Sequence, residues 1–257
     1  MFDKLLLLCL ILFHCIIISK SNISLDEKII GGRPSYIQQF PYLALLGITI
    51  SKDEYCGGTI IGKYWVLTAA HCVYDKSTNY IARPDQIRVI VGRSTFSGFD
   101  GQEYQVQQVI VNEQYSYDPA CTNDIALLQI TQPFVFSNTV TTTRLASGQV
   151  ADGTWGMVMG WGQLANGQTG EQLQSVPTRT FNIDKCQQIW DVPSSNICTL
   201  NSPGRGICFG DSGGPLMING VQYGIACGVP VPCADGRPDI FTSIPVYRSW
   251  IQQKTGI

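Results

Sequence analysis

Only two of the 257 residues are histidine, His14 and His71. Imidazole alone among side chains titrates near neutral pH without special tuning, so a rare histidine carries information. His71 closes "VLTAAHC", an apolar run that ends at a cysteine. Taken by itself, that fragment reads most simply as a half-buried, satisfied histidine. "CFGDSGGP" at 208–215 changes the reading. Three glycines and a proline around Asp211 and Ser212 demand a tight, accessible turn, whose successive N–H groups can converge on an oxyanion. A serine hydroxyl becomes a strong nucleophile only when a base takes its proton. That base needs a carboxylate to fix its tautomer. Asp124 in "CTNDIALLQI" is the candidate: it heads an apolar strand, where an unpartnered carboxylate is costly to bury. An exposed strand-start aspartate is the plainer reading of Asp124 alone. Together the three describe a nucleophile, its base and the base's orienter.

Strands must position them. "PYLALLGITI", "YWVLTAA", "IRVIVG", "YQVQQVIV", "DIALLQI", "GMVMGWG" and "QYGIA" are short runs rich in Val, Ile and aromatics. Gly, Pro, Asn and Asp punctuate them, as in an all-β chain of sandwiches or barrels. Helical periodicity is confined to "VYRSWIQQ" near the C-terminus and "NIDKCQQIW", which Asn182 can cap. The length favours two β domains, and "VTTTRLASGQ" is the best connection between them.

Composition narrows the class. With 44% hydrophobic and 14% charged residues, disorder is excluded. Asp3 and Lys4 precede Leu5–Ile18, a run apolar apart from His14, followed by Ser19, Lys20 and Ser21. The run is short of the ~20 residues that a membrane span needs and suits a signal peptide over 1–21; an uncleaved anchor is the alternative. No later stretch is apolar enough to span, so a secreted, extracellular protein without a membrane partner is expected. Cys9 and Cys15 leave with the leader. Eight cysteines remain, an even number with no CxxC pair, which points to disulfides rather than to a metal. Net charge is −2 with no basic block, so no nucleic-acid partner is expected.

Five motifs in order make the chain resemble the trypsin/chymotrypsin family of serine endopeptidases from Ile29 to the C-terminus: "IIGG" at 29–32, "TAAHC" at 68–72, "NDIALL" at 123–128, "GWG" at 160–162 and "GDSGGP" at 210–215. The chain order histidine, aspartate, serine is also that of chymotrypsin. The resemblance implies two six-stranded antiparallel β-barrels, 29–142 and 143–245, with the cleft between them and a C-terminal helix over 246–257. His71 becomes general base and then acid, Asp124 its orienter, Ser212 the nucleophile, and the N–H groups of Gly210 and Ser212 the oxyanion hole. It also implies a zymogen. Residues 22–28 form a propeptide, and a trypsin-like activator cleaves Lys28–Ile29. The new Ile29 amine then pairs with Asp211, a carboxylate that is expensive to bury without a cation. Protein or peptide substrates, protein inhibitors and a monomeric state are the partner expectations, and no cofactor or metal is implied. The loop "VGRSTFSGFDGQE" opens on Arg93 instead of offering the clustered carboxylates that calcium requires.

Family pairing gives the disulfides Cys56–Cys72, Cys186–Cys198 and Cys208–Cys233. Cys121 and Cys227 are surplus. By family position they face each other across the cleft, and we expect them to be bridged; two free thiols are the alternative. Cys227 stands where the family keeps a serine that hydrogen-bonds the catalytic aspartate, and Gly228 replaces a bulky aromatic. At the specificity pocket Gly206 replaces the aspartate of trypsin, Ile207 adds apolar lining, Val229 narrows the entrance, and Asp239 stands on the opposite wall. This pattern is nearest to arthropod chymotrypsin- and collagenase-type members and implies a chymotrypsin- or elastase-like preference for apolar residues. The competing expectation is a catalytically silent or highly restricted homologue that acts as a binder or decoy.

Overall fold

The computed structural model describes residues 29–50 and 53–257. The expected signal peptide, propeptide and Lys28 lie outside the described residues. Six strands close the first barrel: β1 (Leu43–Thr49), β2 (Asp53–Gly62), β3 (Trp65–Thr68), β4 (Ile87–Val91), β5 (Gln102–Val111) and β6 (Ala126–Ile130). They neighbour in the order β1-β2-β3-β6-β5-β4, and β4 pairs back onto β1 to complete the cylinder. Six more build the second: β7 (Trp155–Gly160), β8 (Gln174–Phe181), β9 (Asn196–Leu200), β10 (Pro215–Ile218), β11 (Val221–Gly228) and β12 (Asp239–Ser243). Here the order β8-β7-β10-β11-β12-β9 closes through pairing of β8 with β9. All these pairings are antiparallel.

β1 shows why the apolar runs are continuous instead of alternating. Its side chains point to opposite faces in turn. Ala44, Leu46 and Ile48 enter the core of the first barrel. Leu43 and Leu45 join Met159, Trp161 and Met217 in a second cluster, between the barrels. Both faces of the strand are therefore covered by apolar side chains. The barrels approach so closely that glycine is required at the contact: a Cβ on Gly57 in β2 would come within 3.0 Å of the Gly214 backbone.

Two boundaries differ from the expectation. Arg33–Pro34, inside the first-barrel span, pairs with Ser175 and Gln174 of β8 and so extends the sheet of the second barrel. The C-terminal helix, α2 (Ile244–Thr255), starts two residues early because Pro245 in its first turn has no N–H to waste. Its buried Ile244, Tyr247 and Ile251 pack into the core of the first barrel, tying the end of the chain across to its beginning. The shorter helix α1 (Ile183–Gln187) is capped by Asn182, whose side-chain oxygen accepts the Lys185 N–H. Among the described residues no helix is long and apolar enough to cross a membrane.

Candidate active site

His71 lies on a single 3-10 turn, Ala70–Cys72, directly after β3. Asp124 lies just before β6. Since β3 and β6 are paired with Thr68 opposite Ala126, the sheet register itself delivers imidazole to carboxylate. The Asp124 Oδ1 atom accepts the His71 backbone N–H at 2.9 Å, and Oδ2 meets the ring at Nδ1, 2.6 Å away. The carboxylate places the ring proton on Nδ1 and leaves Nε2 as an acceptor, 3.9 Å from the Cys72 sulfur. Burial pulls the imidazole pKa down, but attraction to Asp124, its hydrogen bond and a smaller push from Glu54 outweigh it. The net shift is upward from the ordinary value. Asp124 is 2% exposed. Its segment is fixed from the second barrel, where the Thr242 hydroxyl donates to the Asp124 carbonyl at 2.8 Å, and from α2, where Tyr247 donates to the Asn123 side chain at 2.8 Å.

Ser212 sits at the centre of a turn whose glycines at 210 and 213 have φ of +95° and +78°, values that a side chain would strain. Gly213 N–H donates to Ala226 of β11 at 2.8 Å, and the Ser212 carbonyl accepts from Gly57 of β2 at 2.7 Å. Both barrels therefore hold the turn. His71, Gly210 and Ser212 line one cavity, although no Ser212–His71 hydrogen bond is formed among the described residues. Such bonds are often long before substrate tightens them. Asp211 points the other way, into the second barrel. It is buried and accepts from Gly162 N–H at 2.8 Å and Cys208 N–H at 3.0 Å. Burial still pushes its pKa up to about 6, despite the two backbone donors. Ile29 is fully buried in the same apolar cluster as Ile207 and Leu216.

Cysteines 56–72, 186–198, 208–233 and 121–227 are disulfide-bonded. The Cys121–Cys227 bridge, with Cα atoms 5.6 Å apart, joins the loop before Asp124 to β11 and so crosses from one barrel to the other. Its sulfurs lie within 4.8 Å of an Asp124 carboxylate oxygen, where they offer no proton to donate. Asn196 supports the bridge, donating to the Cys121 carbonyl at 3.2 Å and the Phe241 carbonyl at 3.3 Å. Asn196 and Thr242 escaped the sequence reading because they lie 75 and 118 residues from their partners. Only the paired register of β9 and β12 brings them there.

Ile207, Ala226, Cys227, Gly228 and Val229 join His71 and Ser212 around a cavity of about 440 Å³. Gly206 and Asp239 lie outside that lining. Asp239 is 5% exposed, and one of its oxygens accepts Ile207 N–H at 3.3 Å while the other finds no hydrogen-bond partner. Burial pushes its pKa up to about 8 against the Ile207 bond, and the Asp211 and Asp235 charges add to the rise.

Paired closed barrels meeting at such a cleft are the chymotrypsin fold, and the groups gathered there offer the chemistry of a serine hydrolase. Comparison with known proteins agrees. The profile of the family named Trypsin matches residues 29–251. The chain is 34% identical over 228 residues to chymotrypsin-2 of Vespa crabro, covering 88% of this chain and 99% of that protein. It is 32% identical over 245 residues to the collagenase of Hypoderma lineatum, covering 90% and 89%. The solved structure of HL collagenase superimposes with a TM-score of 0.77 at 32% identity, over 89% of this chain and 99% of that one. This chain belongs to the trypsin family of serine endopeptidases.

Proposed function

We propose that this is an exported endopeptidase, made as a zymogen, that hydrolyses proteins or peptides through an acyl-enzyme. The observation that carries the reading is the 2.6 Å contact of Asp124 with His71 Nδ1, made where His71 and Ser212 line one cavity. His71 Nε2 takes the Ser212 proton as Oγ attacks the scissile carbonyl, and the developing oxyanion is met by Gly210 and Ser212 N–H groups. The imidazolium, stabilised by Asp124, then protonates the leaving amine. Water repeats the sequence to release the acid.

Cleavage of Lys28–Ile29 supplies the cation that the buried Asp211 carboxylate calls for. Ile29 is packed in one cluster with Ile207 and Leu216, which flank the turn in sequence, and this supports the pairing. Above the pocket floor, Ile207 and Val229 offer apolar lining, and the sealed Asp239 carboxyl lies outside it. Mid-sized aliphatic to aromatic residues before the scissile bond fit this lining. Four disulfides and the apolar leader favour an extracellular location. Labelling with a fluorophosphonate after tryptic cleavage tests the reading. Wild type should label, and Ser212→Ala and Lys28→Gln should not. Cleaved wild type that refuses the label defeats the enzyme and leaves a binding protein.

A further inference from the structure

A second cavity, of about 390 Å³, shares His71, Phe209 and Ser212 with the first. A peptide lying over Ser212 therefore runs from one cavity into the other. If Ile207 and Val229 bound the acyl side, this cavity receives the leaving-group side. Aromatic rings line much of it, beside the polar Glu54, Gln163 and Thr169. Tyr55 and Phe96 meet edge to face with ring centroids 4.6 Å apart, Phe209 is half exposed between the cavities, and Trp161 and Leu45 stand behind them.

Phe96 belongs to the loop that opens on Arg93, and the proposed mechanism gives that loop no task. The loop is nevertheless firmly anchored. Phe96 N–H donates to the Glu171 carbonyl at 2.6 Å, and Ser97 donates to the Glu171 carboxylate through N–H at 3.2 Å and through its hydroxyl at 2.8 Å. Arg93 closes the loop on itself by donating to the Phe96 carbonyl at 3.1 Å and the Asp100 carbonyl at 2.9 Å. Ser94 takes part as well: its carbonyl accepts from Leu173 N–H and the Trp161 indole, and its hydroxyl accepts from Ile37 N–H. A first-barrel loop is thus stitched to the second barrel on the far side of the cleft, and it presents one partly buried ring to the groove. Pre-organised aromatic surface binds apolar side chains with little ordering cost.

We propose that this groove selects an aromatic or large aliphatic side chain within the first two residues after the scissile bond, with Phe96 as the specificity-determining residue. The inference rests on the acyl-enzyme reading above, and acyl transfer separates the two. A cleaved, active preparation is supplied with an ester substrate and with Ala-Phe-NH2, Phe-Ala-NH2 or Ala-Ala-NH2 as acceptor. The acceptor amine replaces water: its nitrogen bonds to the acyl carbon, its proton passes to His71 and on to Ser212 Oγ, and the Ser212 ester bond breaks. At least one phenylalanine acceptor should divert the acyl-enzyme about tenfold more efficiently than Ala-Ala-NH2, the ratio expected for burying one ring. Phe96→Ala should lose most of that preference, read as the ratio of transfer to hydrolysis for the acyl-enzyme of each variant, which does not depend on how fast the ester acylates it. Phe96→Val keeps an apolar anchor for the loop and should show a smaller loss, which preserves the test if the alanine variant does not fold. Equal partitioning among acceptors by wild type, or an undiminished preference in both variants, overturns the inference. Absence of ester hydrolysis by wild type overturns the protease reading instead.

Discussion

The first barrel carries His71 and Asp124 on segments flanking two hydrogen-bonded neighbours, β3 and β6, so closing the barrel already brings base and orienter together. The second barrel carries Ser212 on a glycine turn that rests on Asp211, with Asp239 outside the cavity lining and bonded to Ile207 N–H. Of the charged residues that are buried among those described, Asp124 has the imidazole for a partner, whereas Asp211 and Asp239 accept backbone bonds alone. Both of these have pKa values raised by burial. The half holding the base draws base and orienter together by its own strand ladder, with Thr242 of the second barrel as a brace on the Asp124 carbonyl. The half holding the nucleophile keeps two carboxyls to which its fold gives no cation, and in the proposed zymogen mechanism the freed Ile29 amine answers one of them.

The largest effect should come from the finished half. Asp124→Asn can keep the packing but leaves the imidazole in the wrong tautomer, and kcat should fall by about 10⁴-fold at neutral pH with little change in Tm. In the cleaved wild type, kcat/KM should be lost as pH drops through a value above that of ordinary histidine, because Asp124 stabilises the imidazolium that cannot act as base. The unfinished half gives the next effect. Asp211→Asn cannot hold the Ile29 amine, so the donors at Gly210 and Ser212 lose their alignment and kcat/KM of the cleaved protein should fall by about 10²–10³-fold. An Asp211→Asn enzyme as fast as wild type would mean that both halves are equally self-sufficient, and the contrast between them would collapse.

The same contrast governs what could be read from the amino acids. Local motifs announce His71, Asp124 and Ser212 because each sits beside backbone with special demands: a strand end at a disulfide, a strand start, and a turn that only glycine permits. The two-barrel architecture was legible through the resemblance that those motifs carry. Supporting contacts were not. Thr242 reaches the Asp124 carbonyl, and Asn196 the Cys121–Cys227 bridge, through strand registers that no local pattern encodes. Likewise Arg33–Pro34 reads as a lead into the first barrel, but its backbone bonds join the second. Phe96 went unnoticed because an aromatic in a polar loop has no distinguishing spacing. Only its edge-to-face contact with Tyr55 sets it apart.

Covalent linkage between the halves gives a third test. Cys121–Cys227 spans 106 residues and crosses the cleft, whereas Cys186–Cys198 spans 12 within the second barrel. In the chain-entropy account the longer loop is worth about 4–5 kcal/mol and the shorter about 3. The double variant Cys121→Ala/Cys227→Ser should therefore unfold roughly 10 °C lower than wild type. It should keep its activity, because a serine beside Asp124 can supply the proton that the sulfurs cannot. Loss of activity with unchanged Tm would make the bridge a catalytic part instead of a brace.

The smallest effect, that of cleavage, separates the two buried carboxyls of the second barrel by pH. Their folded pKa values, about 6 for Asp211 and about 8 for Asp239, lie above those of the unfolded chain. Over that interval the folded protein holds protons that the unfolded chain has already released, so raising the pH favours unfolding. The contribution of each group is complete below its unfolded pKa and is lost as pH rises through its folded value. Uncleaved Ser212→Ala protein should therefore show a Tm that declines from about pH 4 to about pH 8, most steeply below about pH 6, where both groups contribute. Cleavage lets the Ile29 amine pair with Asp211, which lowers that pKa and removes the Asp211 share of the slope below about pH 6, where Asp239 still contributes. Asp239→Asn removes a share throughout and leaves only the Asp211 part, below about pH 6. At the alkaline end cleavage should recover roughly 5 °C and Asp239→Asn roughly twice that, because the Asp239 shift is about twice as large. A slope that cleavage leaves unchanged and Asp239→Asn abolishes would assign all of it to Asp239, with Asp211 satisfied before Ile29 is ever freed.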